Sequence, residues 1–262
     1  MTLVLIAIVT YLLATAGVAH SLVPARRTAS PLAWLAGVFA MVIHGLVHVL
    51  AWQHAGAPDM HFFAALSLTG LGMALLTTVL GASGRMPALA IVVHPIAALS
   101  LVAYAAQDPV EPQLLDWRLQ LHAWSALLAY ATLAVAALLA VLLWFQERAL
   151  RRRQLSDWLR VLPPLQDLEF LLFRTIGFGF ILLSATLLTG ALFVENLLAQ
   201  HLVHKTVLSV LSWLAFGALL LGRWRRGWRG RIAVRWTLLA MALLVLAFFG
   251  SKFVLEMLLG RG

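Results

Sequence analysis

"LLAYATLAVAALLAVLLWF", residues 127–145, runs nineteen positions without a charged side chain. The hydrocarbon core of a bilayer asks for about 20 predominantly apolar residues per helix, and this run meets that demand. "MTLVLIAIVTYLLATAGVA", residues 1–19, has the same character, and similar runs recur along the chain. Of 262 residues 63% are hydrophobic and 11% charged, whereas an ordinary soluble domain carries roughly a quarter charged residues. So much apolar surface cannot be packed into one soluble core. The expectation is an all-α, polytopic integral membrane helix bundle forming a single transmembrane domain over 1–262.

Working outward from 127–145, the apolar runs predict eight spanning helices at about 2–22, 31–53, 61–82, 86–106, 118–146, 170–194, 203–222 and 231–258. Pro31 and Pro87 stand at helix starts, where a missing backbone N–H costs nothing, while Pro95 inside the fourth helix predicts a kink. The first run lacks a basic flank and a clear cleavage site, and is too long for the apolar stretch of a signal peptide, so it reads as a mature helix.

Charge assigns the sides. Arg26 and Arg27, Arg85, the group Arg148, Arg151, Arg152, Arg153 and Arg160, and the group Arg223, Arg225, Arg226, Arg229 and Arg231 fall in alternate connections. The other connections carry Asp59, Asp108, Glu111, Asp116 and Glu195. By the positive-inside rule the basic side is cytoplasmic, which leaves both termini facing outward. "QERALRRRQLSDWLRVLPPLQDLE", residues 146–169, sets Leu150, Leu155, Trp158 and Leu159 against arginines and is expected to lie along the membrane surface. The run "GRWRRGWRGRIAVRW" combines Arg and Trp, but at a helix end it reads as interfacial anchoring to membrane lipids, not as a nucleic-acid surface. Lys252 and Glu256, four apart, are expected to pair with each other.

The chain has no cysteine, which removes disulfides, thiolate metal sites and thioether haem attachment and leaves nine histidines as the plausible ligand set. His44, His48 and His94 fall within the bilayer and His20 near its cytoplasmic end. His44 reads either as an axial haem ligand or proton-relay group, or as a neutral imidazole bonded to a neighbouring helix. His48 is one turn along the same face, a spacing that suits a metal pair as well as packing. His94 precedes Pro95, where a kink frees a carbonyl that imidazole can satisfy. His122 and His204 begin helices that start at the outer surface, so the two can face one cavity and hold haem iron as a bis-His pair. His54, His61 and His201 read as solvated loop residues. No phosphate-binding loop, dinucleotide fingerprint, HExxH or GxSxG is present, which argues against an enzyme.

From about residue 118 onward three blocks resemble the cytochrome c assembly protein family, which includes CcsA, CcmC and CcmF, and within it the YpjD/HemX-like branch. They are "LHAWSALLAYATLAVAALLAVLL", "PPLQDLEFLLFRTIGFGFILLSATLLTGALF" and "HKTVLSVLSWLAFGALLLGRWRRGWRGRIAVRW…FFGSKFVLE". Residues 1–117 match by helix count and by His44 in the second helix. The resemblance implies a bacterial inner-membrane protein that handles haem, with haem b as cofactor, cytochrome c biogenesis proteins or another membrane protein as partners, and His122 as an external ligand. It differs at "FVENLLAQHLVHKT", where haem-handling members carry a tryptophan-rich loop, and a second external histidine after the eighth helix has no counterpart before "EMLLGRG".

Three functions follow as expectations. The first is transient bis-His haem binding and hand-over through His122 and His204, with His44 and His94 as a deeper site. The second is a haem-independent membrane scaffold or regulator that keeps the fold. The third is a small-solute transporter with the intramembrane histidines as proton relays.

Overall fold

The computed structural model describes residues 1–22, 30–82, 88–108, 115–153, 162–193 and 203–250. Among these, all regular structure is helical: α1 (Thr2–Leu22), α2 (Pro31–Ala55), α3 (Phe62–Ala82), α4 (Ala88–Ala105), α5 (Trp117–Arg151), α6 (Leu165–Phe193), α7 (Val203–Arg226) and α8 (Gly230–Val245), the last continuing as a π turn over Leu246–Gly250. Each is long and apolar enough to cross a membrane. The protein is an all-α polytopic membrane protein.

The helices form two compact units, α1–α4 and α5–α8. In the first, α1 packs on α2 and α4, and α3 on α4 and α2. Val4, Ala7, Tyr11, Ala14 and Val18 are all buried, and their alternating spacing of three and four draws a single stripe along α1. Its partner stripe on α2 is Ala33, Gly37, Ala40 and His44. Small residues replace bulky ones here because lipid tails supply no hydrophobic drive, so close backbone approach has to hold the helices together. A β-carbon on Gly17 would stand 2.9 Å from that of Ala33. Leu5, Val9 and Leu12 on the far side of α1 are exposed, as a lipid-facing surface requires.

In the second unit α6 packs on α5 and α7, and α8 on α5 and α7. A β-carbon on Gly179 would fall 2.6 Å from Leu133, so α5 and α6 meet almost backbone to side chain. Trp213 of α7 donates its indole N–H to Ser184 of α6 (2.8 Å), and Ser212 donates to the carbonyl of Ala240 on α8 (2.8 Å).

Helix ends follow local chemistry. Ser30 caps α2 by accepting from the N–H of Ala33 with Pro31 in the first turn, and Gly56 closes it at φ 78°, a left-handed conformation that favours glycine. Between α7 and α8, Gly227 (φ 65°) and Gly230 (φ 53°) turn the chain, and Trp228 folds back on Gly222. The N–H of Gly230 donates to Glu169 Oε1 of α6 (2.8 Å), Arg223 stands 3.8 Å from the same carboxylate, and its guanidinium lies over Phe173. The tryptophan–arginine run is therefore in part a built turn: Trp228 is folded in and stacked on Trp236, while Trp224 stays exposed.

Two expectations change. α5 runs past 146 to Arg151 and α6 begins at Leu165 instead of 170, because charges end the apolar pattern but not the helix, whose backbone bonds continue into water. Leu150 thus belongs to α5, while Leu155, Trp158 and Leu159 lie outside the described residues, as do Pro87, His201, Lys252 and Glu256. At about 1.5 Å per residue α5 is about 52 Å long, which exceeds the hydrocarbon thickness of about 30 Å and leaves its arginine-bearing end beyond it.

Candidate functional site

His122 stands in the second turn of α5, whose first N–H is capped by Asp116 (2.8 Å). Its ring lies against α6. Nδ1 is 3.1 Å from the carbonyl oxygen of Thr186 and 3.3 Å from the Thr189 hydroxyl oxygen. A carbonyl can only accept, so Nδ1 carries the proton and Nε2 keeps its lone pair. Metal-binding histidines are commonly oriented in this way, with the second ring nitrogen donating to a carbonyl or carboxylate. Thr189 in turn donates to the carbonyls of Ala185 and Thr186, and Thr186 donates to Leu182 and Ser125, whose hydroxyl returns to the carbonyl of His122. Gly190 leaves room for the ring: a β-carbon there would meet Cε1 at 3.0 Å.

His204 is exposed in the first turn of α7. α5 and α7 each pack on α6, yet among the described residues no hydrogen bond or ring contact joins His122 to His204.

His44 and His94 sit in the first unit, 0% and 3% exposed. The deeper pair expected of them takes a different form, because both ring nitrogens of His44 are already bonded: Nδ1 to the Tyr11 hydroxyl (3.3 Å) and Nε2 to Ser67 Oγ (2.9 Å). Tyr11 touches both imidazoles, with ring centroids 5.9 Å from His44 and 5.5 Å from His94. His94 does not bond a carbonyl freed by Pro95. Among the described residues neither of its ring nitrogens has a hydrogen-bond partner, and its ring presses on Gly37, where a β-carbon would stand 2.9 Å from Cε1. His48 bonds Ser67 Oγ from the other side (2.9 Å) and stacks on Tyr104 at 4.5 Å.

His61 is more than a solvated loop residue. Its side chain is 15% exposed, Nδ1 donates to Asp59 Oδ1 at 2.6 Å, and its backbone N–H donates to the same oxygen at 3.0 Å. Burial pushes the Asp59 carboxyl up, but the hydrogen bonds and charge of His61, with a smaller contribution from His48, hold it below the usual carboxylate range. His54 and His20 are exposed.

The family model described as cytochrome c assembly protein matches residues 32–259, from the first turns of α2 almost to the end of the chain. The chain belongs to the cytochrome c assembly protein family. The inner membrane protein YpjD of Escherichia coli (strain K12) is 29% identical over 234 residues, covering 84% of this chain and 87% of that protein. The cytochrome c biogenesis protein CcsA of Prochlorococcus marinus (strain MIT 9313) is 24% identical over 235 residues, 76% of this chain and 74% of that one. A 28.8 kDa protein of Azospirillum brasilense, described as uncharacterized and lying in a nifR3-like 5' region, is 39% identical over 144 residues, 54% and 53% of the two chains. No solved structure matches the chain significantly.

Within this family member, sequence reasoning passed over Thr186, Thr189 and Gly190, which orient His122, and Tyr11 and Ser67, which engage His44. The signal for the first three is the "TLLTG" run, whose polar and small positions fall on one helical face. Tyr11 and Ser67 give no such pattern.

Proposed function

We propose that this protein is an inner-membrane haem-handling protein that assists cytochrome c biogenesis or haem homeostasis, holding haem iron transiently between imidazoles and handing it on. Membership of the cytochrome c assembly family supports a role in cytochrome c biogenesis, and the YpjD and CcsA relatives support the membrane and the process. The observation that carries the haem reading is the His122–Thr186 bond, which leaves Nε2 as a lone-pair donor beside a glycine. The donor set fits haem b, whose iron accepts imidazole as an axial ligand when bound. His122 is the oriented ligand and His204, exposed and unconstrained, the exchangeable one. One oriented imidazole and one exposed imidazole would suit hand-over of haem better than storage. Haem, membrane lipids and cytochrome c biogenesis proteins are the partners, and no catalytic step of the chain's own is required.

The test is an absorption spectrum of detergent-purified protein, oxidised and reduced, with haem quantified against protein. A Soret band with sharp reduced α and β bands, weakened in His122→Ala, supports the reading; equal haem in wild type and His122→Ala sinks the ligand assignment. A second reading, a haem-independent scaffold or regulator, draws on the complete engagement of His44 by Tyr11 and Ser67, which is what a histidine kept for helix packing looks like. It predicts colourless protein even after expression with abundant haem.

A further inference from the structure

The first unit brings six titratable rings, a carboxylate and a hydroxyl into one file. From the α2–α3 connection inward they are Asp59 and His61, then Tyr104 of α4 and His48 of α2, then Ser67 of α3, His44 of α2, Tyr11 of α1 and finally His94 of α4. Asp59 bonds His61 at 2.6 Å, and the His61 ring stacks on Tyr104 at 6.0 Å, which stacks on His48 at 4.5 Å. From there the file is hydrogen-bonded without a break: His48 Nε2 to Ser67 Oγ (2.9 Å), Ser67 Oγ to His44 Nε2 (2.9 Å), His44 Nδ1 to the Tyr11 hydroxyl (3.3 Å). Two buried orphans mark its ends. Among the described residues His61 Nε2 has no hydrogen-bond partner at the outer end, and neither ring nitrogen of His94 has one at the inner end.

A purely structural role does not account for this. An imidazole with no hydrogen-bond partner on either nitrogen among the described residues, 3% exposed, loses the hydration of two polar atoms and gains no bond in return, whereas Thr77 and His61 of the same unit each leave a single buried atom unpaired. Each interior member is, moreover, a group that can take a proton on one atom while releasing one from another: imidazole through its two nitrogens, a hydroxyl through its donor and acceptor sites. Lines of acidic and histidine side chains inside membrane helices have this use.

We propose that Asp59, His61, His48, Ser67, His44 and Tyr11 form a proton line that connects the water outside the α2–α3 connection with the buried imidazole of His94. For inward transfer His48 donates Nε2–H to Ser67, Ser67 donates O–H to His44 Nε2, and His44 donates Nδ1–H to Tyr11. Tyr11 then passes its own proton to the His94 ring, which lies 5.5 Å away between centroids and has to swing toward the phenol to accept it. A proton arriving on His48 Nδ1 breaks and remakes one N–H or O–H bond at each member and leaves His94 protonated. The relaying members end neutral with their tautomers switched, His94 holds the added positive charge, and no oxidant or reductant is consumed. The proton leaves His94 along the same members in reverse, through the opposite tautomers, and rotation of the two hydroxyls then resets the line.

The experiment uses the full chain in liposomes, labelled with 15N-histidine, and follows solvent hydrogen exchange at the His94 ring by solid-state NMR, the signal being identified by its absence in His94→Gln. Ser67→Ala removes the shared hydroxyl and should slow that exchange at least tenfold. Ser67→Thr keeps a hydroxyl and should stay within about twofold of wild type. His48→Gln, which retains a hydrogen-bonding group but cannot pass a proton between two nitrogens, should slow exchange as Ser67→Ala does and reads the same line if the alanine variant loses its helices. Exchange in His48→Gln or folded Ser67→Ala that equals or exceeds the wild-type rate overturns the proposal.

Discussion

Gly190 lies directly under the His122 ring: a β-carbon built on the glycine would sit 3.0 Å from Cε1 and 3.4 Å from Nδ1. The Nδ1–H bond to the Thr186 carbonyl fixes the ring on one side and the glycine admits it on the other. Valine at 190 has to push the imidazole off that carbonyl, releasing the tautomer that points Nε2 outward. Gly190→Val is therefore expected to lower haem content as far as His122→Ala does. Gly177→Ala, at a position with open space within 4 Å, should leave haem content unchanged, and pyridine haemochrome quantification on the three proteins checks the ranking.

Glu169 is only 8% exposed, yet it holds three elements: it accepts the N–H of Gly230 at the start of α8, faces Arg223 of α7 and belongs to α6. Removing it leaves a helix N-terminus without its acceptor and a guanidinium without its carboxylate. Arg223 is 30% exposed and keeps the Trp228 carbonyl and the Phe173 ring as partners, so the main loss is the acceptor of the buried Gly230 N–H, worth about 1–3 kcal/mol. Glu169→Ala should lower the thermal midpoint in detergent clearly, whereas Glu169→Gln, which still accepts from Gly230, should lose less. Circular dichroism melts of the two variants decide the order.

Much of this was legible in the sequence, and the limits have physical causes. Eight apolar runs announced eight helices, because a bilayer imposes one length on every span. Arg151 as the end of α5 was not legible, since Glu147 and Arg148 interrupt hydrophobicity without interrupting backbone bonding. His122 stood out by its place at the start of an apolar run, but its partner is a backbone carbonyl, which no letter of the sequence denotes. Tyr11 and Ser67 were harder still. Hydroxyls in apolar helices commonly turn back on their own helix, as Thr10, Thr15 and Thr69 do toward the carbonyl four residues earlier, and nothing in residue type says which ones turn outward instead. His94 was expected to bond a freed carbonyl because Pro95 follows it; the packing against Gly37 and Tyr11 sets its ring elsewhere.

Asp59 links acid stability to the outer turn. Its pKa in the folded protein lies below its ordinary value of 3.8, so the folded state binds this proton less readily than the unfolded chain does. The stabilisation is fully present above that ordinary value and is lost as pH falls through the lower folded value. Asp59→Asn should remove this acid-dependent part, so that its melting temperature falls less than that of wild type between pH 5 and about pH 2. Parallel melts across that range, giving equal slopes in the two proteins, would refute the linkage.

Two glycines two positions apart in α6 should respond to alanine in opposite directions. At Gly179 the added β-carbon falls 2.6 Å from Cδ2 and 2.8 Å from Cγ of Leu133, with Thr132 Cγ2 at 3.3 Å. Leu133 is fully buried, so it has no empty space to retreat into, and α5 and α6 have to separate where they pack. Overpacking of this kind typically costs about 1–3 kcal/mol. At Gly177 nothing lies within 4 Å of the new methyl group, and replacing a mid-helix glycine by alanine gains about 0.5–1 kcal/mol of backbone entropy and propensity. Gly179→Ala is accordingly expected to melt below wild type and Gly177→Ala at or above it. The comparison isolates the α5–α6 contact, because the two substitutions share chemistry, helix and depth to within 3 Å of rise. A Gly179→Ala protein as stable as Gly177→Ala would mean that α5 and α6 do not meet at Leu133, and with it the placement of His122 against Thr186, three turns further along the same pair of helices, would fall.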